Sequence, residues 1–341
     1  VGDLPGVQAH RRRLRLPILV GAGVALALAV LSAVALGSSR FPLHEVLPAL
    51  WRGSGNPAAD QVVHNLRLPR ILITVLVGMN MGVAGGILQG VLRNPLASPR
   101  IIGVNAGAGL FAVALMVLAP GRIGLIPPAA FVGALMAALL VYGLGAGLGA
   151  TGSSTVQIVL AGVAVSAFFG AGTSALMIVF SDELAITYSW IIGGLSGRGW
   201  RHFQLLWPYS VPGLTLALML APALNLFALG DEVGRRLGLS VRTYRAVSIF
   251  VPAWLAGSAV SVAGTVGFVG LIAPHAARLL VGEEYRFLLP LSALLGGLLL
   301  LLADTAARTA FMPVELPVGV LTAALGAPFF LVLLRRSRRA T

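Results

Sequence analysis

The chain has 341 residues, 57% hydrophobic and only 10% charged, with a mean hydropathy of +0.93, whereas a soluble domain carries about 25% charged residues. Cysteine and lysine are both absent. That excludes disulfides, thiolate metal sites, a cysteine nucleophile, a Schiff base and the lysine-bearing P-loop of an ATPase. The +13 net charge is arginine excess, which in so apolar a chain reports membrane orientation rather than nucleic-acid binding.

A spanning helix needs roughly 20 mostly apolar residues, and such runs fall at 17–37, 70–92, 101–119, 125–149, 155–180, 203–224, 245–265, 268–281, 287–308 and 316–334. The eighth is short. The alternation of a membrane barrel is missing, so the fold class is an all-α polytopic membrane protein of about ten helices. The first run follows Arg11–Arg13 and could be read as a secretory signal, but it is longer than a signal's core of about 7–15 residues. It is taken as an uncleaved span. The chain then forms one transmembrane permease-like domain, 1–341, with cytoplasmic tails at 1–16 and 335–341, a bundle over 17–334 and a cytoplasmic loop over 225–244.

With the N-terminus inside, sixteen of the 24 arginines fall at inner ends and loops and eight outside, the bias of a protein with both termini in the cytoplasm. An internal echo supports a repeat. Ala84–Ala97 aligns at an offset of 179 with Ala263–Ala276, matching at Ala84, Gly85, Leu92, Pro95 and Ala97. Spans 2–5 and 7–10 would then be inverted copies, a transporter feature with the path at the repeat interface. The small-xxx-small steps Gly86–Gly90, Gly103–Gly107 and Gly145–Gly149 predict close helix packing rather than a phosphate cradle.

Few groups carry chemistry. Asp304 is the one acid well inside an apolar run, a candidate proton relay in a secondary transporter. Arg308, one turn on, is the expected partner, which favours a structural or docking pair. His10, His44, His64, His202 and His275 show no ligand spacing and no metal site is predicted; serines form no GxSxG elbow. Ser181–Trp200 is amphipathic, with Leu184, Tyr188, Ile191 and Ile192 at near-helical spacing and Gly193–Gly194 after them. It reads equally as a gate at the outer mouth or an interfacial aromatic anchor. "LFALGDEVGRRLGL", Leu226–Leu239, reads as a short cytoplasmic helix begun at Gly230–Asp231 and ended by Gly238. Two turns are not stable alone, so Val233 and Leu237 must pack on the chain's own bundle, the lipid surface or a soluble partner.

The stretches "LRLPRILITVLVG", "LQGVLRNPLASPRIIGVNAGAG", "LAGVAVSAF", "GGLSGRGW", "LGDEVGRRLGL", "GTVGFVGLIAPHAARLLVG", "LPLSALLGGLLLLLADTAAR" and "ELPVGVLTAALGAPFFLVLL" run in order from about residue 66 to the C-terminus. In them the chain resembles the permease subunits of type II ATP-binding-cassette importers, the iron-chelate, haem and cobalamin permease family. The resemblance implies a non-catalytic homodimer in the bacterial cytoplasmic membrane, two ATPase subunits that hold ATP and Mg, and a periplasmic or lipid-anchored binding protein, with no cofactor on this chain and no nucleic-acid partner. The implied cargo is haem or a ferric siderophore, with cobalamin as the alternative. It implies ATPase coupling through Asp231, Glu232, Val233, Arg235, Arg236, Leu237 and Leu239, and binding-protein docking at Arg67, Arg70 and Arg308. It further implies a cytoplasmic gate at Asn94, Leu96, Ser153 and Ser154, the last two by a loose match, and an outer gate at Tyr188, Trp190, Gly193 and Gly194.

Overall fold

A computed structural model describes residues 5–37, 41–51, 53–147, 155–312 and 314–337. The described residues form fifteen α-helices and no strand. In chain order these are α1 (Pro5–Ala35), α2 (Leu43–Ala49), α3 (Pro57–Val62), α4 (Leu68–Val91), α5 (Val104–Leu118), α6 (Ile126–Gly147), α7 (Thr155–Val179) and α8 (Leu184–Ile192). Then come α9 (Trp200–Met219), α10 (Ala221–Leu229), α11 (Asp231–Arg236), α12 (Val241–Ala263), α13 (Val269–Val281), α14 (Tyr285–Thr309) and α15 (Val318–Ser337).

All ten expected spans have a helix. Six are long and apolar enough to cross by themselves, α9 and α10 form one bent pair, and α5, α13 and α15 carry shorter apolar stretches. The α9–α10 pair bends by 45°. Its cause is Pro222, which sits at the start of α10 and has no N–H for the carbonyl a turn earlier. The sixth span therefore runs on to Leu229 and brings the charged loop close beneath the bundle. At 13 residues, α13 covers only about 20 Å of the roughly 30 Å apolar layer. The non-helical stretch 264–268 above it is tolerated because Gly264, Val266 and neighbouring residues are enclosed by protein.

The core is built on α4 and α12, each buried over 78% of its apolar window, while α7 is buried over 17%. Small residues make that possible. A Cβ on Gly78 would stand 2.3 Å from the Gly296 carbonyl oxygen, and one on Gly85 1.7 Å from that of Gly270, so backbones touch directly. Two of the steps read from the sequence also pack closely, Gly90 against the Tyr285 hydroxyl and Gly107 against the Gly133 carbonyl; Gly149 of the third lies outside the described residues.

The repeat is visible in which helix touches which. Helix α4 packs on α14 as α12 packs on α6, α5 pairs with α6 as α13 pairs with α14, and α4 meets α12. Gly78 abuts α14 at Gly296; Gly257, 179 residues on, abuts α6 at Ala134. The echoed register ends where α12 ends. Pro95 lies in a loop whereas Pro274 is inside α13, so the matches beyond Ala263 are not equivalent positions.

Candidate functional site

At the outer end, a π-turn (Val63–Arg67) joins α3 to α4. Its wider coil carries Arg67 inward, where Nη1 donates to the carbonyls of Val34 at 2.6 Å and Ala35 at 3.3 Å. Arg308 Nη2 donates to the Ala33 carbonyl at 2.6 Å. These are carbonyls that the end of α1 leaves without helical partners, at the negative pole of its dipole. One turn on from Arg67, Arg70 reaches across to α14. Its Nε and Nη2 donate to the Asp304 carboxylate at 3.0 and 2.9 Å, and Nη1 donates to Glu315 at 2.8 Å.

Two expectations change here. Asp304 pairs with Arg70 rather than with Arg308, because the facing helix presents a guanidinium edge-on to both carboxylate oxygens while Arg308 is turned to the end of α1. Locked in that pair and 0% exposed, Asp304 is a structural partner and not a free proton carrier. Nor do the three predicted docking arginines form an exposed face. Arg67 and Arg308 are 4% and 3% exposed and the Arg70 side chain 11%, drawn in by the carbonyls and acids just named.

Above them lies a cavity of about 260 Å³ lined by Arg67, Arg70, Arg198, Arg308 and Glu315. Burial opposes ionisation of Glu315, but hydrogen bonds from Arg70 and Ser196 and the nearby guanidinium charges outweigh it, so its carboxyl is held below the usual range. Burial lowers the Arg198 guanidinium from its ordinary value. Its Nε and that of Arg308 have no partner among the described residues. Arg198 and Glu315 do not stand out as site residues in the sequence. The only signal is a charged residue inside each of the resemblance-bearing stretches "GGLSGRGW" and "ELPVGV".

The outer segment does contain a short helix, α8, yet its inward face is Thr187 and Trp190, 1% and 6% exposed. Leu184 and Tyr188 of the apolar spacing are 41% and 61% exposed, and Trp190 meets the α12–α13 connection. Gly193 has φ +82 and lies 2.8 Å from the Thr265 carbonyl at its would-be Cβ, a place for glycine alone. Its own carbonyl accepts from the Gly319 amide at 3.2 Å, and the Gly194 amide donates to Ala263 at 2.9 Å. Trp190 and Gly194 line a cavity of about 330 Å³ that also reaches Arg198 and Glu315. Of the predicted outer-gate residues, Trp190, Gly193 and Gly194 thus join α8, the break after α12 and the start of α15, while Tyr188 is exposed.

On the cytoplasmic side the loop after α4 is folded on itself, with the Asn94 side chain accepting from the Leu96 amide at 2.9 Å. Leu96 lines a cavity of about 300 Å³ with Met81, Asn105, Phe268 and Phe330. Ser153 and Ser154 lie outside the described residues.

Helix α11 occupies the charged stretch. Gly230 precedes it with φ +114 and Gly238 ends it with φ +84, both left-handed. Asp231 is the first helical residue, placed with Glu232 where acids favour a helix start, and it makes no side-chain cap bond. It bonds instead to Arg93 at 2.7 Å and to Arg245. Val233 and Leu237 are 42% and 62% exposed, so the bundle does not bury them. Glu232 and Arg236 pair at 2.7 Å on the exposed face, Arg235 is exposed beside them, and Leu239 is half-buried against Gly234.

A model of the FecCD transport family matches residues 25–336. The chain is 38% identical over 329 residues to the Fe(3+)-citrate import system permease protein YfmE of Bacillus subtilis (strain 168), covering 96% of this chain and 98% of that one. It is 40% identical over 277 residues to the cobalamin import system permease protein BtuC of Halobacterium salinarum, covering 81% and 74%. Among solved structures it resembles a metal-chelate type ABC transporter in an inward-facing conformation, with TM-score 0.84 and 28% identity over 94% of this chain and 99% of that one.

Proposed function

From the premise that the chain belongs to the FecCD transport family, and is the multi-pass permease subunit of an ATP-binding-cassette importer, we propose that its cargo is an iron chelate, a ferric siderophore or haem. The carrying observation is the 38% identity to an iron-citrate permease across 96% of the chain. Two copies enclose the path, ATP is hydrolysed on a separate ATPase subunit bound under α11, and a binding protein delivers cargo at the outer face. The exposed Val233, Leu237, Arg235 and Arg236 suit that ATPase contact: an apolar pair ringed by charge, too short to hold itself. Asn94 and Leu96 serve as the inner gate, and Trp190, Gly193 and Gly194 as the outer one.

For docking, the reading that fits buried arginines is a carboxylate of the binding protein reaching into the 260 Å³ cavity, rather than pairing on a flat face. The guanidiniums of Arg67, Arg70, Arg198 and Arg308 that line it suit a carboxylate. Cobalamin is the second reading, favoured by the 40% identity to a cobalamin permease.

The test is transport in proteoliposomes holding this chain, the ATPase encoded beside it and the neighbouring binding protein. ATP-dependent uptake is expected; uptake that follows a proton gradient and ignores ATP would overturn the reading. The visible absorption of the purified binding protein with haem, ferric siderophores and cobalamin separates the cargoes.

A further inference from the structure

Among the described residues, the ion pairs that tie helix α11 to the membrane bundle run through one side chain. Of its charged residues Asp231 alone turns inward, and it accepts from guanidiniums of two elements: Arg93, in the loop that closes α4, and Arg245, on α12. Arg93 makes a second contact, its Nε donating to the Phe227 carbonyl at the end of α10 at 3.0 Å. Arg245 lies over the Phe227 ring. Arg93 holds the left-handed conformation, φ +45, which a non-glycine residue adopts only where surrounding bonds fix it. The very next residue is Asn94, whose side chain shapes the turn carrying Leu96.

The two ends of α11 are glycines in left-handed conformations, so the helix can pivot without unwinding. A push on its exposed face must then leave through Asp231. Arg245 is 12% exposed and belongs to the most buried pair of helices, a fixed point; Arg93 is 47% exposed on a loop. Motion goes to the softer attachment.

We propose that Asp231 does not contact the ATPase but acts as a strut, moving the Asn94–Leu96 loop through Arg93 while Arg245 holds the pivot. Arg93 and Asp231 are thus positioning residues that convert movement of α11 into opening of the cytoplasmic gate. This rests on the reading of the chain as an ATPase-driven permease. It also divides the charges of the island between two roles. Glu232, Arg235 and Arg236 face the engine, and Asp231 faces the gate.

The chain has no cysteine, so Ser98→Cys supplies its single labelling point beside the gate loop. In the full complex with its ATPase and binding protein, Mg–ATP is expected to change the fluorescence of a dye there. Arg93→Gln, which leaves Asp231 bonded to Arg245, should keep ATP hydrolysis while shrinking that change by about fivefold or more. Arg93→Lys, which retains the charge, should restore part of it. A full fluorescence response in Arg93→Gln overturns the strut, as does equal loss of hydrolysis and response, which marks Arg93 as structural. Absence of any ATP response in the complex carrying Ser98→Cys alone would instead count against the ATPase-driven permease reading itself.

Discussion

The two ion clusters on opposite sides of the bundle are inverses of each other. Outside, one guanidinium, Arg70, lies between two carboxylates, Asp304 and Glu315; inside, one carboxylate, Asp231, lies between two guanidiniums, Arg93 and Arg245. Burial separates them. Arg70 and Asp304 side chains are 11% and 1% exposed, whereas Arg93 and Asp231 are 47% and 29% exposed. The outer pair joins two long helices of the core, and the inner one joins a six-residue helix to a loop. Equal chemistry therefore gives a lock at one end and a movable strut at the other, because the cost of separating charges falls as water reaches them.

Breaking the lock is the largest expected effect. Asp304→Ala removes the more buried of the two carboxylates on Arg70, leaving Glu315 alone to pair it, and should destabilise the fold by up to about 3–5 kcal/mol, read as thermal unfolding of the purified chain in detergent. A change under about 1 kcal/mol, the value of an exposed pair, would erase the distinction between the clusters.

Next is the rigid contact that holds the outer cluster's helices together. Gly78→Ala places a Cβ 2.3 Å from the Gly296 carbonyl oxygen, and an overpacked site of this kind costs about 1–3 kcal/mol. Gly257→Ala, its repeat equivalent, meets a methyl at 3.0 Å and should cost less. The same unfolding assay compares the two.

Glu315 gives a smaller, pH-dependent effect. Its carboxyl is depressed in the fold, so what it contributes is fully present above the unfolded carboxylate value of about 4.3 and is lost as pH falls through the lower folded value. The melting temperatures of the unsubstituted chain and Glu315→Gln should differ by a constant amount near neutrality and converge in acid. A gap that widens in acid would reverse the assignment.

Smallest is the exposed i,i+4 pair on α11. Glu232→Gln should change stability by at most about 0.5 kcal/mol, since both side chains are more than 70% exposed. Its effect is expected in ATPase affinity, measured by pull-down of the partner.

The spans are legible in the sequence because each is an apolar run of membrane length, and every one of the ten has a helix. The bend at Pro222, the extension to Leu229 and the start of α1 at Pro5 rather than at 17 alter boundaries materially. The charged island is legible as a short helix ended by Gly238, but spacing left open what Val233 and Leu237 pack on, and only the structure shows that the bundle leaves them exposed. The face of α8 is not legible, since four apolar residues at helical spacing do not say which neighbour they meet when lipid or solvent interface is available on the other side. Sequence spacing pairs Asp304 with Arg308 because only near partners can be counted along a chain; Arg70 is 234 residues away.

Sequence alone determined the solvent and the fold class, and it carried the expectations of sidedness and of an engine on another chain. Each depends on sums over many residues: hydropathy, arginine balance and the missing lysine. The tertiary structure alone decided which guanidinium meets which carboxylate, that the outer arginines are enclosed, and that Asp231 turns toward Arg93 and Arg245. Ion pairing falls off within a few ångströms and depends on geometry. Residues far apart in the chain acquire that geometry only when α4, α12 and α14 close on their glycines.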